Sequence, residues 1–222
     1  MPKNNTMFSA IKIEGGLFSQ DLLQSFITDS SQEGINPESF HLKPRERLNE
    51  AANRAYSNLI GYWTNFQESI KKLPEEAIGT TETRERWLLP LFQELGYGRL
   101  QPQKSVEIEG KLYPISHQAL EPVAIHLVSY KWSLDKRNPY GKTETRLSPH
   151  SLMQEFLNRS ENFLWGFLSN GYQFRILRDN VSFSRISYIE FDLQTIMEQD
   201  LYDEFFIFWI LCHQSRVEVK TA

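Results

Sequence analysis

The chain has 222 residues, of which 40% are hydrophobic and 13% aromatic, so its composition favours a folded protein over a disordered one. A formal net charge of −4 excludes a generally basic coat for nucleic acid but allows a local basic face. The single cysteine, Cys212, excludes an intrachain disulfide framework and fits a reducing, cytoplasmic location. The longest apolar run, residues 205–212, is much shorter than the roughly 20 residues that span a bilayer, so we expect a soluble protein with no membrane partner.

The first third of the chain predicts a short strand followed by helices. Residues 1–17 alternate around two isoleucines and suggest a strand or an arm, and residues 22–27 present a short helical face. Apolar residues recur every three or four positions over residues 45–73, which predicts a long helix that Pro74 ends. We therefore predict an N-terminal arm and helical extension over residues 1–79.

The middle of the chain predicts a helix, a hairpin and a buried strand. The helix covers residues 80–96 and contains Pro90, which predicts a kink or a late start. Residues 104–116 form a hairpin around a Glu-Gly turn, and the mostly apolar residues 122–129 predict a central strand that is buried on both faces.

Residues 148–192 predict a polar-capped helix followed by three strands. The first two strands flank Asn170-Gly171, which is typical of a type I′ turn with positive φ at both positions. Residues 194–216 then predict one last helix that is apolar on all sides, so it is either buried or covered by a partner. The complete order of elements predicts an α/β or α+β fold with a mixed central sheet flanked by helices.

Short pieces of sequence, spread over about residues 84–218, carry a resemblance to a known family. These pieces are WLLPLFQELGYGRL (87–100), YPISHQ (113–118), PVAIHLVSYKWSLDKR (122–137), SPHSLMQEFLNRS (148–160), LWGFLSNGYQFRILRDN (164–180), YIEFDL (188–193) and HQSRVE (213–218). They resemble the N-terminal region of large bacterial restriction–modification adenine methyltransferases, the type IIG-like enzymes of phage-defence operons.

The resemblance implies a restriction-endonuclease-like α/β domain over residues 80–222 and a role in DNA restriction or modification. In that family the region resembles a PD-(D/E)xK nuclease fold that precedes a methyltransferase. The present chain has neither a glycine-rich cofactor loop after a strand nor an Asn-Pro-Pro-Tyr motif. We therefore expect no cofactor here, and we expect the methyltransferase to be a separate domain or subunit that acts as a partner.

The acidic residues of such a nuclease are missing from their usual positions. The fold cleaves DNA with two carboxylates that hold Mg²⁺ and with a lysine, and the aspartate follows a proline. Here Pro114 is followed by Ile115, Ser116 and His117, and the strand over residues 122–131 contains no acid. His117 and His126 have no cysteine nearby and are weak evidence for zinc. We interpret the domain as a degenerate nuclease core.

A rearranged catalytic site is the first alternative, and it would need Mg²⁺. In this hypothesis acidic residues from other elements converge with Lys131 or Lys136, and a helical glutamine lies near the active site as in several relatives of the fold. Ordinary surface charges explain the same residues equally well. The candidates for this site are Glu94, Glu107, Asp135, Lys136 and Gln154.

The polar loop over residues 131–146 is the candidate DNA-binding segment. It has five basic and two acidic residues with two aromatic residues between them. Basic side chains pair with phosphates and aromatic rings stack on bases, although a solvated loop has a similar composition. The candidate DNA-binding residues are Lys131, Trp132, Lys136, Arg137, Lys142 and Arg146.

Three hypotheses for the function follow. The first is a non-catalytic, nuclease-like domain that engages DNA or provides a scaffold for a methyltransferase. The second is an active, metal-dependent endonuclease with a rearranged site. The third is a protein-binding module that forms a homodimer through the helix at residues 194–213.

Overall fold

The computed structural model describes residues 8–29, 33–119, 122–138, 147–179 and 187–218. Within these residues the chain forms strands in a large sheet and a small hairpin. The strands are β1 (Ile11–Glu14), β2 (Gln101–Pro102), β3 (Val106–Ile108), β4 (Lys111–Tyr113), β5 (His117–Gln118), β6 (Val123–Leu127), β7 (Trp165–Ser169), β8 (Gln173–Arg178) and β9 (Tyr188–Asp192).

The described helices vary widely in length. They are α1 (Gln20–Thr28), α2 (Leu48–Lys71), α3 (Thr80–Thr83), α4 (Leu89–Glu94), α5 (Pro149–Arg159), α6 (Leu193–Glu198) and α7 (Tyr202–Cys212). A π-helical turn, Arg84–Leu88, joins α3 to α4 and ends two residues before Pro90, near which the sequence predicts an irregularity. In this part of the chain, none of the helices has both the length and the apolar character needed to cross a membrane.

The large sheet is mixed, as the sequence predicts. Its seven strands lie in the order β1-β9-β8-β7-β6-β5-β2, and β6 and β7 are the parallel pair. Parallel neighbours need a crossover connection, which here includes α5. All five residues of β6 are buried, so the prediction of a central strand covered on both faces is confirmed. The fold is a mixed α+β fold with a sheet flanked by helices, consistent with a nuclease-like α/β fold.

Two hydrophobic cores lie on the two faces of the sheet, because neighbouring residues of β6 point in opposite directions. Ile125 belongs to a core that includes apolar residues of α2, α4 and α7. Ala124 belongs to a smaller core that includes four residues of α5. The polar residue His126 lies on the α5 face together with Ala124, because residues two positions apart on a strand point to the same side of the sheet.

The N-terminal segment contributes to the same sheet and core as the rest of the chain. β1 pairs with β9 from Ile11 opposite Phe191, and α2 packs against α7. The buried carboxylate of Glu204 on α7 accepts hydrogen bonds from the Ser9 and Ala10 amides at 3.0 and 2.7 Å. Residues before and after position 79 therefore share one sheet and one core. The domain boundary at residue 79 stays a prediction.

The predicted single helix at residues 194–216 is wrong, because the chain breaks between α6 and α7. Asp200 has a φ of 55°, which an α-helix does not allow, and its carboxylate accepts a hydrogen bond from the Tyr56 hydroxyl at 2.9 Å. Apolar periodicity continues through this break and so does not reveal it. Only Asp203 of α7 is exposed, because the chain itself covers this apolar helix.

The predicted type I′ turn at Asn170-Gly171 is also wrong, since only Gly171 has a positive φ, of 90°. The buried Asn170 side chain instead makes an Asx turn, in which its Oδ1 accepts from the amides of Tyr172 and Gln173. Its Nδ2 donates to the Trp132 carbonyl at 2.8 Å. The turn therefore supports a distant loop, which turn propensity cannot show.

Replacement of Gly171 by alanine should destabilise the protein by about 1–3 kcal/mol. A Cβ there would lie 2.8 Å from Thr83 Cγ2, and the backbone has a positive φ. The matched control is Gly61→Ala in α2, where nothing lies within 4 Å and the change should stabilise by about 0.5–1 kcal/mol. Urea denaturation of both variants measures this, and equal effects would contradict it.

Candidate nucleic-acid interface

A cleft of about 250 Å³ lies on the α5 side of the sheet. It forms where the segments before β5 and after β2 meet the end of β6, the N-terminus of α5 and the loop at residues 129–138. The charged and polar residues that matter most in its lining are Arg84, Lys104, Ser116, His126, Trp132 and Arg137. Among the described residues that line the cleft, three are cations and none is a carboxylate.

Arg84 is fixed in the cleft by the backbone of β6. Its Nε donates to the Leu127 carbonyl at 2.9 Å, and its Nη2 donates to the same oxygen. Burial lowers the pKa of Arg84, but a guanidinium keeps its proton in proteins. The π-helical turn that carries Arg84 therefore places a fixed positive charge at the end of the strand.

His126 is a neutral group next to that charge. Its pKa is lowered to about 3, first by burial and then by the charges of Arg84 and His117, against a small opposite effect of a hydrogen bond to the Pro114 backbone. The side chain is 8% exposed, and its Nδ1 is buried with no hydrogen-bond partner. The interaction with the Pro114 backbone uses the ring as a donor, and Nδ1 has no partner, so we assign the proton to Nε2 and the acceptor lone pair to Nδ1.

Ser116 joins neighbouring strands rather than leaving its hydroxyl group free. Its Oγ accepts from the Leu127 amide at 2.8 Å and lies 2.8 Å from His117 Nδ1. Ile115, the residue that directly follows Pro114, is buried in the core beneath α5. The strand positions where the family resemblance implies metal ligands are therefore occupied by apolar, hydroxyl and imidazole groups.

The structure does not bring the carboxylates of the rearranged site together. Glu94 on α4 accepts a hydrogen bond from Asn58 Nδ2 at 3.2 Å, whereas Glu107 is exposed on β3. Asp135 binds Arg175. The described part of the chain holds no group of three or more histidine, cysteine, aspartate or glutamate residues that could hold a metal ion.

The two other candidates of that site have different surroundings. Lys136 is exposed beside the cleft and does not line it. Gln154 is buried on α5, where its Nε2 donates to Asn158 Oδ1 and to the Arg178 carbonyl, both at 2.9 Å. Gln154 thus ties α5 to β8, which is a structural role.

The predicted DNA-binding residues divide into three groups. Trp132 and Arg137 line the cleft. Lys131 lies outside it, with its Nζ 2.7 Å from the Glu75 carbonyl oxygen, as does the exposed Lys136. The last two, Lys142 and Arg146, lie outside the described residues.

Sequence reasoning missed Arg84 and Lys104 as members of this site. Arg84 precedes the hydrophobic residues of a predicted helix, and Lys104 begins a predicted hairpin. Neither residue lies in a basic cluster of the sequence. The strand order brings them to the cleft, and no spacing pattern in the chain encodes that proximity.

An ion-pair network around a buried arginine holds the loop that forms one wall of the cleft. Arg175 on β8 is 2% exposed, and its Nη1 and Nη2 bind the two Asp135 oxygens at 2.6 and 2.7 Å. Its Nε binds Glu190, and Nη1 lies 3.0 Å from His150 Nδ1. Burial opposes the charge on Arg175, but both carboxylates outweigh it and raise its pKa. Arg175 therefore positions Asp135, two residues before Arg137.

Comparison with protein-family models, with curated proteins and with solved structures finds no match to this chain. The fold and the cleft themselves define its class. It is a mixed α+β domain with a cationic cleft on one face of its central sheet.

Replacement of Arg175 by leucine should destabilise the protein by about 3–5 kcal/mol, because it leaves the nearly buried Glu190 carboxylate without its cation. The control is Arg159→Leu, which also removes an arginine with two carboxylate partners, but one that is 46% exposed. That change should cost less than about 1 kcal/mol. Urea denaturation measures both, and a similar loss in the two variants would contradict a special role for the buried network.

Stability should fall as the pH falls from 6.5 towards 4. Burial lowers the pKa of His117, His150 and His213 to about 4 and that of His126 to about 3 in the folded protein. In the unfolded chain these histidines take up protons near pH 6.5, whereas in the folded protein they stay neutral until the pH is close to 4. The contribution of the neutral histidines to the free energy of unfolding is therefore complete above pH 6.5 and is lost as the pH falls below it. Free energies of unfolding at pH 7.5, 6 and 5 test this. A constant value across that range would contradict it.

Proposed function

We propose that this protein is a non-catalytic, nuclease-like domain that engages DNA through the cationic cleft. The observation that carries the proposal is the lining of the cleft, where Arg84, Lys104 and Arg137 supply positive charge without a carboxylate. The chain as a whole has a net charge of −4, so this concentration of cations is a local feature. Local basic faces of this kind attract phosphate groups.

The side chains around the cleft also suit a nucleic acid better than a small anion. Trp132 lies beside the cations, and aromatic rings contribute base stacking that does not depend on sequence. The segment that follows, residues 139–146, contains Lys142 and Arg146 and adds basic residues in sequence. The family resemblance gives independent support for DNA as the ligand.

Binding rather than cleavage is the proposed activity, because no carboxylate is among the described residues that line the cleft. A nuclease of this fold needs carboxylates to hold Mg²⁺. The neutral His126 and the hydrogen-bonded Ser116 are poor ligands for that hard cation.

A methyltransferase domain or subunit is the proposed protein partner, on the strength of the family resemblance. In that arrangement the present domain would hold DNA while the partner modifies it. A homodimer through residues 194–213 has less support, because the chain itself buries most of α7.

Salt dependence of DNA binding tests the proposed function. The affinity of the intact protein for a short duplex should fall steeply as the salt concentration rises, because each bound phosphate releases counterions. The variants Arg137→Ala and Lys104→Ala should each reduce the slope of log K against log salt by about one. Fluorescence anisotropy at several salt concentrations measures these slopes.

The matched control is Arg86→Ala, which removes an exposed arginine of the same π-helical turn that carries Arg84. Arg86 does not line the cleft, so this variant should keep the parent slope. Absence of any binding at low salt would overturn the proposed function. Equal slope changes in all three variants would show that the contact is not at the cleft.

A further inference from the structure

We propose that the cleft accepts one unpaired nucleotide of a DNA strand, with its base inside and its phosphate at the cationic rim. This inference rests on the proposed function and goes beyond it, since it names the form of DNA that the site selects. It follows from the polar groups inside the cleft, from its volume and from the position of its cations.

The acceptor of His126 indicates what the interior of the cleft binds. A phosphate oxygen is itself an acceptor and would face the lone pair of the neutral Nδ1, so the interior at His126 does not suit a phosphate. A base offers N–H groups from its ring or its exocyclic amine. Because a buried polar group without a partner is unfavourable, a donor group on the ligand would satisfy His126.

Trp132 supplies the complementary group. Its Nε1 is also buried without a hydrogen-bond partner, although an indole N–H in the interior usually donates to one. Both residues line the cleft, and a rotation of each side chain would turn its buried nitrogen, one a donor and one an acceptor, towards a ligand. The edge of a nucleobase carries both kinds of group and can match this pair, whereas an aliphatic ligand cannot.

The volume of the cleft suits a single base. About 250 Å³ is slightly below the range of roughly 300–1,000 Å³ that is typical of pockets for drug-sized molecules. Stacking and pairing keep the bases of an intact duplex within the helix, so they do not project singly into a cleft. A base that is already unpaired avoids the unstacking energy of a few kcal/mol.

The cations are placed to bind the backbone of such a nucleotide. Lys104 and Arg137 are both exposed and line the cleft from different segments, one after β2 and one in the loop. The guanidinium of Arg84 lies deeper and close enough to lower the pKa of His126. Lys104 and Arg137 thus mark a phosphate region at the rim, whereas Arg84, His126 and Trp132 line the base region inside.

Oligonucleotides of one sequence test this inference with the full chain. The probes are a single strand, the fully paired duplex and a duplex with one unpaired, bulged nucleotide, all compared by fluorescence anisotropy at the same salt concentration. The single strand and the bulged duplex should bind at least about tenfold more tightly than the paired duplex, the effect of about one buried hydrogen bond to the base.

Two variants locate the effect. His126→Leu removes the acceptor, and Trp132→Phe keeps an aromatic ring while it removes the N–H donor. Each variant should bring the ratio of the affinities for unpaired and paired DNA towards one and leave the slope of log K against log salt unchanged. Urea denaturation checks that both variants fold, and Trp132→Phe provides the test if the more buried His126→Leu variant does not.

The outcomes separate this inference from the proposed function. Salt-dependent binding with equal affinity for paired and unpaired DNA would keep the proposed function and overturn the nucleotide site, with buried water satisfying the two rings instead. Retention of the preference in folded Trp132→Phe and His126→Leu would overturn the site as well. Failure to bind any DNA would overturn both.

Discussion

The buried guanidinium of Arg175 is the interaction on which the candidate site depends. It joins a strand in the middle of the sheet to Glu190 on the next strand and to Asp135 in the loop before α5. Three further contacts hold the same region. The His150 ring lies against Arg175, and the His150 backbone amide donates to the Leu134 carbonyl. The Asn170 side chain donates to the Trp132 carbonyl. An arginine can do this because its planar group binds two carboxylates at once.

This network reduces the negative charge next to the cationic cleft of an acidic protein. Arg175 carries one positive charge and binds both Asp135 and Glu190, so these three groups together have one net negative charge instead of two, which weakens their opposition to the positive charges nearby. In the sheet register, His126 lies opposite Leu168, and Leu168 lies opposite Arg175. One apolar residue thus separates this ion-pair network from the proposed DNA-binding region, where Arg84 is the fixed charge.

Local patterns predicted much of the fold and little of the site. Apolar periodicity located α2, the run of buried residues located β6, and Glu109-Gly110 located the hairpin turn, in which both residues have positive φ. The same reasoning failed at Asp200, where a hydrogen bond from Tyr56 accompanies a break between helices. It failed again at Asn170, whose side chain bonds to a distant loop.

The sequence by itself determined the class of fold, the central strand and two residues of the cleft, Trp132 and Arg137, because these depend on composition and on neighbours along the chain. Only the tertiary structure decided that Arg84 and Lys104 join them and that Glu94, Glu107 and Asp135 remain apart. Strand order and ion pairing set these distances, and both connect residues that are far apart in sequence. A pattern of spacing contains no information about such contacts.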